Sequence, residues 1–106
     1  MIKKDNFGIP DKYLEIFKEI FSKYPKIEKA ILYGSRAKGN FTTGSDIDIA
    51  LVAPKMSFSE YLSVLAELED LDIPYKLDIT KYELLDDNIK EHIKRVGKII
   101  YLKDNL

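Results

Sequence analysis

The stretch Tyr33–Val52, YGSRAKGNFTTGSDIDIALV, decides how the rest of the chain is read. A Gly-Ser pair, Gly34-Ser35, closes one apolar run. Ten residues after Ser35 begins a second apolar run that carries two carboxylates, Asp46 and Asp48. Alternation along a strand puts Asp46, Asp48 and Ala50 on one face, with Ile47, Ile49 and Leu51 on the other. Two carboxylates at i and i+2 repel one another unless a cation lies between them. Hard oxygen ligands of this kind suit Mg²⁺, which keeps several waters and draws further ligands from phosphates. Glycine at a strand end lets the backbone approach a ligand closely, and the following amides point outward from a helical turn. Ser35 adds a hydroxyl, and Arg36 and Lys38 add positive charge suited to a polyphosphate.

Outward from this stretch, the flanking elements read clearly. Pro10 and Asp11 open a helix in which Leu14, Phe17, Phe21 and Tyr24 recur at steps of three and four, with Ile16 and Ile20 beside them. These aromatics are core or interface. Ile27–Tyr33 is a strand that turns fully apolar toward its end, as a central strand does. Asp46–Ala53 is the second strand. Ser57 and Glu60 form a capping box for a second helix, with Tyr61, Leu62, Leu65, Leu68 and Leu71 as its buried stripe. Tyr75–Thr80 is a short strand that sets Asp78 opposite Leu77 and Ile79. Asp86 or Asp87 caps a last helix, where Leu85, Ile89, Ile93 and Val96 face inward and Gly97 is the stop. Lys98–Leu102 either pairs as a terminal strand or packs. The expected class is α/β (α+β), a small mixed β-sheet flanked by helices.

Composition narrows the function classes. A chain of 106 residues is one domain, 1–106, with 1–8 as a loose lead-in. A net charge of -1 argues against gripping long stretches of nucleic acid, which takes a basic surface. The chain has no cysteine, so it has neither a disulfide framework nor a thiolate metal site. No secretory signal or membrane-length apolar run is present, and a cytoplasmic location is expected.

Asp78 extends the constellation. If its strand lies beside that of Asp46 and Asp48, three carboxylates converge, and such a trio holds two metal ions for in-line phosphoryl displacement. The single histidine, His92, lies one turn from Ile89 with no carboxylate motif around it and reads as a surface or boundary residue.

Gly-Ser, ten residues, Asp-x-Asp and a lone Asp on a later strand resemble the DNA polymerase beta-like nucleotidyltransferase superfamily. The wording GSRAKGN…GSDIDIAL, with KLDITKY and IKEHIKRVGKIIY, is similar to its minimal nucleotidyltransferase (MNT) branch over Ile27–Tyr101. The resemblance implies the polymerase beta-like nucleotidyltransferase fold and Mg²⁺-dependent transfer of AMP from ATP to a hydroxyl. It implies that Asp46 and Asp48 hold two Mg²⁺ ions and that Asp78 completes the catalytic metal site. Gly34 and Ser35 would then hold the β- and γ-phosphates, with Arg36 or Lys38 assisting. It also implies an all-helical HEPN-type partner from an adjacent gene, the chain being the antitoxin or catalytic subunit. The elements use the whole chain, so acceptor recognition is expected from another chain in a hetero-oligomer. Two alternatives stand beside this reading: a binding module that silences its partner by contact alone, and a small-molecule (antibiotic) nucleotidyltransferase.

Overall fold

A computed structural model describes residues 7–104. Nine elements follow in chain order: α1 (Asp11–Ser22), β1 (Lys29–Tyr33), α2 (Gly34–Lys38), β2 (Ile47–Val52), α3 (Phe58–Glu69), β3 (Leu77–Lys81), a 3₁₀ turn (Tyr82–Leu84), α4 (Asp87–Val96) and β4 (Lys98–Leu102). The strands form one mixed sheet in the order β3-β2-β1-β4. β1 runs antiparallel to both β2 and β4, whereas β2 and β3 are parallel. The α3 crossover supplies the length that a parallel pair demands.

Register divides the sheet into two chemically different faces. Ala30 pairs with Leu51 and Leu32 with Ile49, and Ile49 in turn with Ile79. All five are buried, and helices α1 and α3 pack on this side. Phe17 and Phe21 of α1 are fully enclosed, and the Phe21 ring meets that of Tyr101, whose strand partner is Ala30. Each such side chain contributes about 1.5–3 kcal/mol of burial. The opposite face carries Ile31, Tyr33, Asp48, Ala50, Asp78 and Thr80 in matching register, and α4 lies over its β1 side. At Gly97 there is no room for a Cβ between the Ile93 carbonyl and the Ile31 side chain, so glycine lets the end of α4 reach β1.

Local signals explain the element ends. The Ser57 hydroxyl accepts from the Glu60 amide at 3.1 Å and the Glu60 carboxylate accepts from the Ser57 amide at 2.9 Å, closing the expected capping box. Asp86, not Asp87, caps α4, its carboxylate accepting from the Ile89 amide at 2.9 Å. At the end of β3, Lys81 is buried and reaches Glu83 at 3.2 Å, while Glu83 accepts from the Ala53 amide. That clasp ties the ends of β2 and β3.

Several expectations are corrected. Strands β1 and β2 begin later than the apolar runs, at Lys29 and Ile47, so Asp46 stands just ahead of its strand. Strand β3 is Leu77–Lys81 rather than 75–80. Leu62 is 48% exposed and Val64 takes its place in the core, because the stripe turns with the Tyr61–Val64–Leu68 spacing. On α4 only Ile93 is buried; Ile89 and Val96 are half-buried, because this helix covers only part of one sheet face, and Leu85, also half-buried, lies ahead of the helix at the end of the 3₁₀ turn. Lys98–Leu102 does pair as a strand. The lead-in over 1–8 lies mostly outside the described residues. Of its last two residues, Phe7 is anchored by Arg36, and at Gly8 a Cβ would collide with the Phe41 ring and the Arg36 guanidinium.

Candidate active site

The site begins where β1 passes into α2. Tyr33 is still extended, and Gly34 turns the chain with φ 77°, a conformation that side chains with a Cβ rarely adopt. A Cβ on Gly34 would collide with the Asp48 carboxylate oxygen Oδ2, so glycine brings the backbone directly under that carboxylate. Tyr33 pairs with Asp48 across the antiparallel ladder, and Asp48 pairs with Asp78 across the parallel one. The Gly-Ser turn, Asp48 and Asp78 thus follow one another across three adjacent strands, on one face. Ser35 is half-buried at the start of α2, and Lys38 is exposed at its end.

Electrostatics mark Asp48 as the strained member. Desolvation by burial pushes its carboxyl above the usual carboxylate range, and the nearby charges of Asp78 and then Asp46 push it further, with a hydrogen bond to Asp78 acting the same way. Tyr33 is also raised, first by burial, and then against a lowering hydrogen bond from Thr80 by the charges of Asp78 and Asp48. The Tyr33 hydroxyl lies 3.4 Å from Thr80 Oγ1. Among the described residues no Lys or Arg forms an ion pair with Asp46, Asp48 or Asp78. Carboxylate oxygens held near one another without a protein counter-charge are donors of the kind that hard divalent cations accept. As they stand, no three described His, Cys, Asp or Glu residues close on a single metal-sized point. Asp48 and Asp78 come together, and exposed Asp46 acts on Asp48 through charge alone.

One residue differs from its sequence reading, and another gains a contact that the sequence did not signal. Arg36 does not face a phosphate. It is 1% exposed and spends its guanidinium on backbone carbonyls: Nε and Nη2 donate to Ser45 O at 3.1 and 2.9 Å, and Nη1 donates to Phe7 O at 2.9 Å. Its plane lies over the rings of Phe41 and Tyr75, 5.1 and 5.3 Å from their centroids. A charge so placed holds the 39–45 loop down; its fork geometry suits two carbonyl attachments better than a lysine could. His92 is half-buried, a boundary residue as expected, and it also touches the turn. Its Nε2 accepts a hydrogen bond from the Gly34 amide at 3.3 Å, and its ring stands edge-on to Tyr33, centroids 6.2 Å apart. Nothing local in the sequence signals this, because the two partners lie 58 positions apart and meet where α4 packs on α2 and β1.

The polymerase beta nucleotidyltransferase family model matches residues 15–106. The chain belongs to this nucleotidyltransferase family. A protein of Methanocaldococcus jannaschii provisionally named a protein adenylyltransferase is 37% identical over 94 residues, covering 78% of this chain and 93% of the relative. The protein adenylyltransferase MntA of Aphanizomenon flos-aquae is 26% identical over 98 residues, covering 82% of this chain and 65% of its own. A second M. jannaschii relative with the same provisional name is 38% identical over 76 residues, covering 72% of this chain. The chain spans 65% and 57% of the length of these last two relatives. Among solved structures, a provisionally named nucleotidyltransferase of Sulfolobus solfataricus superposes with a TM-score of 0.61 at 20% identity, covering 99% of this chain and 93% of that one. A chain of the tri-AMPylated Shewanella oneidensis HEPN toxin–MNT antitoxin complex gives 0.53 at 15% identity, covering 95% and 74%. At these identities the superpositions speak for the fold, which is that of the polymerase beta-like nucleotidyltransferases.

Proposed function

We propose that the chain is a Mg²⁺-dependent adenylyltransferase that moves AMP from ATP to a hydroxyl on a HEPN-type partner protein. The observation that carries this reading is the alignment of Gly34, Asp48 and Asp78 across β1, β2 and β3, with the Asp48 carboxylate seated over the Gly34 backbone. Relatives named as protein adenylyltransferases support the reaction type, and a fold neighbour that is a chain of a complex of an AMPylated HEPN toxin with an MNT antitoxin supports the partner class. The chain acts as the antitoxin or catalytic subunit of such a pair, in the cytoplasm, as a single domain.

Asp46, Asp48 and Asp78 would hold the two Mg²⁺ ions, whose charge neutralises the triphosphate and the developing charge on the leaving oxygen. The remaining roles belong to the chain. Ser35 and the turn that Gly34 opens hold the β- and γ-phosphates, with exposed Lys38 as the nearby cation. Arg36 is withdrawn from that role by its burial. Pyrophosphate then lies toward β1, and in-line geometry brings the acceptor from the β3 side. There the acceptor oxygen bonds to the α-phosphorus, the bond to pyrophosphate breaks, and the hydroxyl proton passes to the Asp78 carboxylate. Like-charge repulsion among the carboxylates disfavours the site until cations arrive, so ATP and metal are expected to bind together.

The test incubates the chain with labelled ATP, Mg²⁺ and a HEPN-type partner protein. Label on the partner with wild-type chain, and none with Asp46→Ala/Asp48→Ala, is the expected result. A partner that stays unlabelled, or is labelled equally by both, sinks the proposal.

A further inference from the structure

We infer that His92 is a positioning residue of the phosphate turn, acting through the Gly34 amide; this rests on the nucleotidyl-transfer reading of the same site. The Gly34 peptide is the point where the turn is decided, and glycine is the residue least able to hold a conformation by itself. Something outside the turn has to fix it. The Gly34 amide donates to His92 Nε2 at 3.3 Å, across 58 positions of sequence. The imidazole is itself oriented by the Tyr33 ring, edge-on at 6.2 Å, and the Tyr33 hydroxyl reaches Thr80 Oγ1 at 3.4 Å, two residues past Asp78. His92 thus stands at the head of a chain of contacts that joins α4, the β1–α2 corner and β3. The base of that corner is the point where Gly34 lies under Asp48.

The consequence is preorganisation. With the amide held, the left-handed Gly34 conformation is kept, Asp48 retains its place above it, and Ser35 is presented in one geometry. Without the acceptor, the glycine samples other conformations, and nucleotide binding has to select the competent one. The apparent affinity falls by the population lost. The requirement is for an acceptor atom at the Nε2 position. A glutamine, whose Oε1 reaches a similar distance, therefore replaces His92, whereas alanine does not.

The experiment titrates the non-hydrolysable analogue AMP-PNP with Mg²⁺ into wild-type, His92→Ala and His92→Gln protein by calorimetry. Thermal midpoints and the Gly34 amide resonance are followed in parallel. His92→Ala should weaken analogue binding about fivefold, equivalent to about 1 kcal/mol. His92→Gln should recover to within about twofold of wild type, a difference of about 0.4 kcal/mol. Equal affinity in all three proteins overturns the inference, as does a lower thermal midpoint with unchanged affinity, which is a packing role alone. Failure of the glutamine to rescue also overturns it, because ring packing rather than the acceptor would then matter. If wild-type protein binds no analogue, the proposed function fails. The Gly34 resonance then decides the contact: a position in His92→Ala identical to wild type overturns it, and a shift reversed in His92→Gln supports it.

Discussion

Replacing Arg36 separates a buckle from a phosphate ligand. The guanidinium is 1% exposed and makes two attachments of good length, a fork on Ser45 O and a bond to Phe7 O, plus a long third contact to Thr43 O at 3.5 Å. Hydrogen bonds involving a charged group contribute about 1.5 kcal/mol each at the lower end of their range. The two ring faces, Phe41 and Tyr75, add about 0.5 kcal/mol apiece. Arg36→Ala should therefore cost about 4 kcal/mol, a large share of the total stability of a domain this size. The expected fall in thermal midpoint is about 20 °C. Arg36→Lys keeps the charge and loses the fork, and should recover less than half of the loss. Circular dichroism melts of the three proteins measure both. A phosphate ligand behaves in the opposite way: Arg36→Ala would keep its midpoint, and analogue binding alone would fall. That result would refute the structural role argued for Arg36.

Three further perturbations probe the carboxylate face and its independence from the fold. Folding raises the Asp48 carboxyl above its unfolded value, so the folded state holds that proton more tightly and wild-type stability falls as pH rises from the ordinary carboxylate value through the folded one. Asp48→Asn should thus melt higher than wild type at about pH 7.5 and lose this advantage at about pH 3.5. Equal midpoints at both pH values would contradict the crowding of Asp48. Gly34→Ala forces a Cβ into the left-handed region, at about 1–2 kcal/mol, and against the Asp48 carboxylate. Because that carboxylate can swing aside, the protein should fold while Mg²⁺-dependent AMP-PNP binding, read by calorimetry, falls more than tenfold. Ser57→Ala opens the capping box and should cost about 1 kcal/mol in urea unfolding, leaving analogue affinity unchanged.

What the sequence made legible was whatever depends on neighbours in the chain. The Asp48 and Asp78 alternation, the Ser57–Glu60 box and the Pro10 helix start are local patterns, and each is found in place. Arg36 was misread because a basic residue beside a Gly-Ser turn looks the same whether it points to solvent or inward. Its acceptors, Phe7 and Ser45, are carbonyls, and a carbonyl leaves no trace in sequence. An Arg flanked by turn residues, with Phe41 five positions on, was the available hint. His92 could not be found that way at all: its partner is an amide 58 positions earlier, and the two meet through the packing of α4 on α2 and β1. The exposed Leu62 has a simpler cause. The buried positions of α3 are Tyr61, Val64 and Leu68, and the Tyr61 hydroxyl donates to Ile79 O at 2.7 Å, which leaves Leu62 on the outer side.

The two faces of the sheet answer to different demands, and this division explains how so small a chain tolerates so costly a site. The core under α1 and α3 is built from residues whose register partners are also apolar, so its burial does not depend on what the other face carries. The carboxylate face is where like charges are held together against repulsion, and it is the less covered one: Asp78 and Asp46 are exposed and Asp48 half-buried. Water screens part of that repulsion until ligand arrives. Repulsion that destabilises the empty protein is relieved when cations and triphosphate bind, so binding and stability are linked with one sign. Substitutions that relax the site, such as Asp48→Asn, should therefore stabilise the free protein and abolish the extra stability that Mg²⁺ and AMP-PNP confer on wild type. On the carboxylate face, α4 is tied to β1 and the Gly34 corner through His92 and Gly97.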